Sequence, residues 1–330
     1  MWLHSLKERS TDFVRLWQYS IGFYGVWIAH IGRQMKLFNH IAAGPVSIEK
    51  LILNTKLHPT AVRAWCSAAL SYQLITAKNG KLQLKKQMKR ILVDKTSPDY
   101  LGGQFSYLAL RSLEYGAFEE LFKSGKTRKK ISTLSAIEQA TDWDHYAFLA
   151  AVQRHRKLHQ MLSKGCRLLD VGCGTGSMLT KLHKEYPKSS LVGIDPSGKA
   201  VATARQIASG TSISLIKLSG ESMEFANEFE IVYLGESLYA TKDKERVLSN
   251  CWRALKKGGT IAIVEGLLPK KSKFQDYSGL LIMGMQLDFA LQDHKFMNRK
   301  DIIRLLNKGF SKADFKHLGG NVYLVSATKT

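Results

Sequence analysis

Cysteine is scarce in this chain: of 330 residues only Cys66, Cys166, Cys173 and Cys251 are cysteines, and there is no C-x-x-C and no His-rich cluster. That argues against a zinc site or a disulfide framework, so no metal is expected, and it fits a reducing, cytoplasmic compartment. Six prolines leave little room for disordered linkers. Acid is short as well, with 27 Asp and Glu against 49 Lys and Arg, a net charge of +22. Such a balance suits nucleic acid, an anionic membrane surface contacted peripherally, or an anionic substrate. The lysines are scattered, however, and the densest run, residues 123–130 (KSGKTRKK), reads as a linker. A solvated lysine-rich surface is the plainest account. Uninterrupted apolar runs are missing too. Residues 13–32 are long enough to cross a bilayer, but Arg15, Gln18, Ser20 and His30 interrupt them, and polar groups at that depth are costly. A long buried or subunit-pairing helix over residues 12–36 is expected instead, with no transmembrane segment. The N-terminus shows no basic-then-apolar segment ending in small residues, so no secretory signal is expected.

What is present suffices for a large core, since 45% of the residues are hydrophobic, and the length allows two domains. The first third reads as helices with one hairpin. Ser47 is placed to cap SIEKLILNT, and Pro59 opens PTAVRAWCSAALSYQLI, where Ala61, Val62, Trp65, Ala68, Ala69 and Leu70 recur at helical spacing. Asn79-Gly80 supplies the positive φ angles of a two-residue hairpin turn. Helix, helix, hairpin is a winged-helix layout. Residues 98–123 and 141–164 read as two further helices.

From residue 166 short apolar runs (CRLLDV, SLVGID, SISLIKL, FEIVYLG, GTIAIVEG) alternate with helical stretches, which implies a mostly parallel sheet. ADFKHL and NVYLVSAT flank Gly319-Gly320 with no helix between, so they are expected to pair antiparallel. The fold expected is α/β, a doubly wound, mostly parallel seven-stranded sheet over residues 136–330, preceded by a mainly helical winged-helix domain over residues 1–135.

RLLDVGCGTGSM, residues 167–178, is a strand, a glycine turn and a helix start. In such sheets ligands bind beyond the carboxyl ends of the strands. A dinucleotide fingerprint needs glycine where Ser177 stands, and no P-loop run exists. What remains is D-x-G-x-G-x-G, with Asp170 ahead of Gly172, Gly174 and Gly176. Glycine lets the backbone approach a ligand closely. An acid where a phosphate would want bare amides suggests a cationic or hydroxylated ligand. Asp170 either faces that ligand or caps the loop through its amides.

This segment resembles motif I of the class I S-adenosylmethionine-dependent methyltransferases, and further landmarks of that family follow in order. The resemblance implies S-adenosyl-L-methionine as cofactor and Asp195, closing LVGID, as the acceptor of both ribose hydroxyls. It implies Gly220-Glu221-Ser222 at the adenine, with Glu221 the contact, and Gly235 and Glu236 at the end of the fourth strand. The first domain is similar in layout to that of the small-molecule O-methyltransferase group, which implies a homodimer.

The acceptor side departs from that group. Where a His-Asp pair usually follows the fourth strand, this chain reads Ser237-Leu238-Tyr239, similar to pigment methyltransferases that act on carbon. Tyr239 is a candidate for orienting the acceptor or relaying a proton, and His294, in the loop before RKDIIRLL, is a candidate base or acceptor contact. Met283, Met285 and Phe289 in DYSGLLIMGMQLDFAL are read either as core or as an apolar acceptor wall. His145, Tyr146 and Arg154 are candidates for facing the methionine tail, with Arg154 its carboxylate partner. No D/N-P-P-Y run follows the fourth strand, and Cys251 sits inside a helical stretch, which argues against methylation of nucleic-acid bases. PTAVRAWCSAALSYQLI offers few base-reading side chains. The function expected is methyl transfer from S-adenosylmethionine to a small, fairly apolar acceptor. RNA or protein methylation, or a DNA-binding protein with a vestigial methyltransferase domain, stand as alternatives.

Overall fold

The computed structural model describes residues 10–97, 99–125 and 134–330, with side chains in the last segment from residue 144 on. The chain divides into two compact units, Met1–Glu114 with Ser135–Trp143 and Tyr115–Leu134 with Asp144–Thr330.

The first unit holds α1 (Thr11–Gln34), α2 (Leu37–Ala42), α3 (Ile48–Thr55) and α4 (Pro59–Ser71). The hairpin β1 (Thr76–Lys78) and β2 (Lys81–Gln83) follows, then α5 (Lys86–Leu92) and α6 (Gly102–Ser112). Ser47 caps α3 by accepting from the Lys50 amide at 3.2 Å, and Pro59 opens α4, as their positions in the sequence require. Asn79 and Gly80 both take positive φ, 51° and 71°, the turn whose twist matches a right-twisted hairpin. Two expectations need correction. The helix from Pro59 stops at Ser71, because Gln73 enters the left-handed region at φ 56°. Residues 98–123 are not one helix: α6 ends at Ser112, and a 3₁₀ turn at Tyr115–Ala117 precedes α7 (Phe118–Ser124). Val62, Trp65, Cys66 and Ala69 of α4 are buried with Phe38, Ile41 and Leu51, while Ala61 faces solvent. Helix α1 exposes Leu16, Tyr19, Phe23 and Tyr24.

The second unit is built on a sheet. It contains α7, the greater part of α8 (Leu134–Arg154) and α9 (Arg156–Lys164). The expected single helix over 141–164 is interrupted at His155, whose Nδ1 accepts from the Leu158 amide and caps α9. Then come β3 (Arg167–Val171), α10 (Ser177–Glu185), β4 (Ser190–Asp195), α11 (Gly198–Ile207), β5 (Ser214–Lys217) and β6 (Phe229–Gly235). They are followed by α12 (Lys244–Ala254), β7 (Leu255–Leu268), α13 (Tyr277–Ala290), β8 (Met297–Asn298), α14 (Arg299–Leu306), β9 (Asp314–Gly319) and β10 (Val322–Thr328). The strand order is β5-β4-β3-β6-β7-β10-β9, seven strands as expected, with the short β8 also pairing with β7. Strands β3 to β7 run parallel, and β10 is antiparallel to both β7 and β9. The order reverses between β3 and β6, which puts a crevice at their carboxyl ends.

Alternation along the strands splits the core into two layers. Leu169, Val232, Leu234, Ile261 and Ile263 are buried on one face, and Leu168, Ile231, Tyr233, Ala262 and Val264 on the other. Among the described residues no helix is long and apolar enough to cross a membrane. The basic run 123–130 lies outside the described residues from position 126 on.

Leu234 is fully buried between β3 and β7, so Leu234→Ala is expected to cost about 2–5 kcal/mol. Leu53→Ala, at a position 76% exposed, is expected to change stability by less than about 0.5 kcal/mol. Urea titration of the two variants checks the contrast.

Candidate functional site

The turn after β3 is held by hydrogen bonds to the neighbouring strand. The amides of Gly172 and Cys173 donate to the Ile194 carbonyl at 2.8 and 3.0 Å, and the Gly176 amide donates to the Cys173 carbonyl. The Gly174 amide donates to Asp195 Oδ2 at 3.0 Å, and Asp195 Oδ1 accepts from the Ser197 amide at 2.8 Å. The acid seen to brace the loop through its amides is Asp195. A carboxylate offers about four lone-pair sites, so Asp195 retains acceptor capacity toward the crevice.

Two glycines are required for different reasons. Gly172 has φ 84°, and a Cβ there would lie 2.6 Å from Ser237 Cβ. Ser237 is drawn in because its hydroxyl donates to the Val171 carbonyl at 2.7 Å. Gly174 has φ 54° and would meet nothing within 4 Å. The loop is thus closed against the protein at Gly172 and open at Gly174, a backbone cradle with free space above it. Cys173 fills the underside: its Sγ lies 2.8 Å from where a Cβ on Gly193 would stand, and burial pushes its thiol up.

Gly220 is pressed against Val171 and Val247, and Asn250 Nδ2 donates to the Gly220 and Glu221 carbonyls at 2.9 and 3.0 Å. Glu221 Oε1 accepts from the Lys242 amide at 3.2 Å, which ties this turn to the segment after β6. Gly235 ends β6 under the Tyr233 ring, where a Cβ would run into Tyr233 Oη. Glu236 adopts φ 49° and accepts from the Gly266 amide at 2.8 Å.

Tyr239 and His294, far apart in sequence, come together with ring centroids 5.7 Å apart. Phe289 stands 4.6 Å from Tyr239 and stacks on Phe296 at 4.2 Å, with Ile282, Leu268 and Met285 around them. Burial, with a contribution from Lys244, lowers the His294 pKa below that of a free imidazole. The ring is therefore neutral near pH 7. Met283 is 36% exposed and takes no part in this wall. His145 and Tyr146 of α8 meet Lys181 of α10, whose Nζ lies 3.3 Å from His145 Nδ1 and 5.4 Å from the Tyr146 ring centre, so both residues flank the helix that leaves the glycine loop. Arg154 is exposed in the last turn of α8, beyond Phe148, which packs on Tyr233 of β6.

Sequence reasoning missed Asp144, Tyr233 and Glu265. Burial and the charge of Glu236 push Asp144 well up; burial and Glu265 do the same to Glu236. Glu265 is fully buried and pushed up to about 8 by that burial, although its Oε1 accepts from the Leu238 and Tyr239 amides. An acid inside TIAIVEGLL was the available signal for Glu265. Asp144 carried none, since its setting is purely tertiary.

Parallel strands, a reversal between β3 and β6 and a glycine loop at the reversal define the class I methyltransferase fold. Residues 168–259 match a family model described as a methyltransferase domain. The chain is 29% identical over 99 residues to trans-aconitate 2-methyltransferase of Deinococcus radiodurans, covering 29% of this chain and 36% of that protein. It is 30% identical over 107 residues to the ubiquinone/menaquinone biosynthesis C-methyltransferase UbiE of Desulfotalea psychrophila, covering 32% and 44%. The chain thus spans less than half the length of these curated relatives. Among solved structures, human N-acetylserotonin methyltransferase in complex with SAM superposes with TM-score 0.69 at 18% identity, over 98% of this chain and 99% of that one.

Asp170 is 2% exposed, and burial together with the charge of Asp195 raises its pKa to about 8, against about 3.9 in an unfolded chain. The native state holds this proton while the unfolded state loses it, so the group's contribution to stability falls as pH rises from about 4 to about 8 and is level above that. Asp170→Asn removes the penalty. The stability of the variant relative to the wild type is expected to grow across that window, by at most about 1.4 kcal/mol per pH unit, and to be flat above it. Denaturant titrations at a series of pH values test this.

Proposed function

We propose that this protein is an S-adenosylmethionine-dependent methyltransferase acting on a small, fairly apolar acceptor. The observation that carries the reading is the open backbone cradle at Gly174, braced by Asp195 from the next strand. A nucleoside linked to an amino acid tail needs both parts: close backbone approach for the tail and a fixed acceptor for ribose hydroxyls. Asp170, Gly172, Gly174 and Gly176 line the tail's place, Asp195 takes the ribose, Glu221 the adenine edge, and Gly235 and Glu236 close the far side.

S-adenosylmethionine supplies a methyl group already activated by positively charged sulfur. What the chain must do is hold an acceptor in line with it, which is catalysis by proximity and orientation. Tyr239, Phe289 and Phe296 give that acceptor a flat apolar wall, and His294, neutral at working pH, accepts a proton where the acceptor carries one. The aromatic wall favours a small apolar molecule over RNA or protein. We read residues 1–135 as a dimerising and capping domain, because the exposed Leu16, Tyr19, Phe23 and Tyr24 of α1 form too large an apolar face for a solvated helix. The partner is a second copy of the chain. The four buried free cysteines accord with the cytoplasm.

Transfer of labelled methyl from S-adenosylmethionine into a cell lysate tests the reading: label belongs in the solvent-extractable fraction, and label in RNA or protein overturns it. Asp195→Ala is expected to weaken S-adenosylmethionine binding by roughly 1.5–3 kcal/mol, the loss of a charged hydrogen-bond acceptor, read by calorimetry. His294→Ala is expected to lower kcat by about 10²-fold or more and to abolish the acid limb of its pH profile. An unchanged profile would remove His294 from the reaction.

A further inference from the structure

Five ionisable side chains converge: Asp144 from α8, Asp170 from β3, Tyr233 from β6, Glu236 from the turn after it, and Glu265 from β7. Asp170 and Tyr233 are register partners. Gly235 pairs with Val264, so Glu236 and Glu265 follow side by side on strands about 4.8 Å apart. Tyr233 is the hub, since all four carboxyl groups act electrostatically on its hydroxyl.

Two atoms in this cluster are buried with no hydrogen-bond partner, Tyr233 Oη and Glu265 Oε2, in side chains 1% and 0% exposed. Leaving such groups unsatisfied costs about 1–3 kcal/mol each, which marks a place prepared for something else. Positive charge from the chain hardly reaches it. Lys244 acts on Glu265, whereas the remaining influences are acidic: Glu236 on Asp144, Glu265 on Glu236, and Asp195 on Asp170. Lys181 is engaged with Ser177 and His145. Asp144 and Glu236 are only part-buried, so the cluster opens to solvent.

We propose that Asp144, Glu236 and Glu265 form a charge-sensing subsite that recognises the sulfonium of the cofactor, so that S-adenosylmethionine binds with release of a proton and S-adenosylhomocysteine binds without it. The inference rests on the cofactor reading above. Without a cation, the clustering holds these carboxyl groups above their ordinary range. A sulfonium entering the site stabilises a carboxylate in low dielectric, and the displaced proton leaves to solvent. The product has the same tail and nucleoside but uncharged sulfur, so it gives no such stabilisation. Charge then separates substrate from product where shape barely can.

The test is isothermal calorimetry of both ligands on the full chain, in phosphate and in Tris, whose ionisation enthalpies differ. Proton release with S-adenosylmethionine alone is expected, and its affinity relative to S-adenosylhomocysteine rises with pH, by up to about tenfold per unit for one linked proton. Glu236→Gln and Asp144→Asn are expected to flatten that rise and to weaken S-adenosylmethionine several-fold more than S-adenosylhomocysteine, whose retained binding also shows that the variants fold. Equal proton release with the two ligands, or variants that weaken both equally, overturns the subsite and leaves the cofactor reading intact. Binding of neither ligand to the wild type overturns both.

Discussion

Strand β3 lies between β4 and β6, and nearly everything at the crevice follows from that position. On one side the end of β4 brings the Ile194 carbonyl and the Asp195 carboxylate to the amides of the glycine loop. On the other, β6 delivers Tyr233, Gly235 and Glu236, and its continuation sets Ser237 against Gly172. The parallel register fixes these neighbours to within a residue, because a slip of one would turn every side chain to the opposite face. Two separately buried layers, on the two faces of the sheet, enforce that register.

The loop is held by the protein on its lower side and left open above, and the chemistry around it is similarly divided. Apolar aromatic surface gathers where Tyr239, Phe289 and Phe296 pack together. Acid gathers beneath, where burial holds Asp144, Asp170, Glu236 and Glu265 above their ordinary range. In a chain of net charge +22, the concentration of carboxyl groups at one interior place is the opposite of what the surface composition suggests. The net charge is strongly basic, while carboxyl groups cluster in the interior.

Retention of so much unpaired acid is costly to stability, since each buried carboxyl must hold a proton or lose hydration. Sites of this sort are where ligand binding and protonation become linked. The amides of Leu238 and Tyr239 offset part of the cost at Glu265, and the Gly266 amide part of that at Glu236. These same bonds fix the segment that carries Tyr239, so the acidic floor also positions the aromatic wall.

The linear order of residues determined the elements and the cradle. Glycine at 172, 174 and 176 and the acid closing LVGID can be read without coordinates, because positive φ and a strand-end acceptor are local requirements. The hairpin turn at Asn79-Gly80, the cap at Ser47 and the helix start at Pro59 are local in the same sense. Helix breaks at Ser112 and His155 were not legible, since the apolar pattern runs across them and the break is settled by capping geometry. Tertiary structure alone decided which acids meet. Asp144 is an unremarkable helix residue in the sequence. Long-range packing brings it to Glu236, and no local preference encodes that meeting.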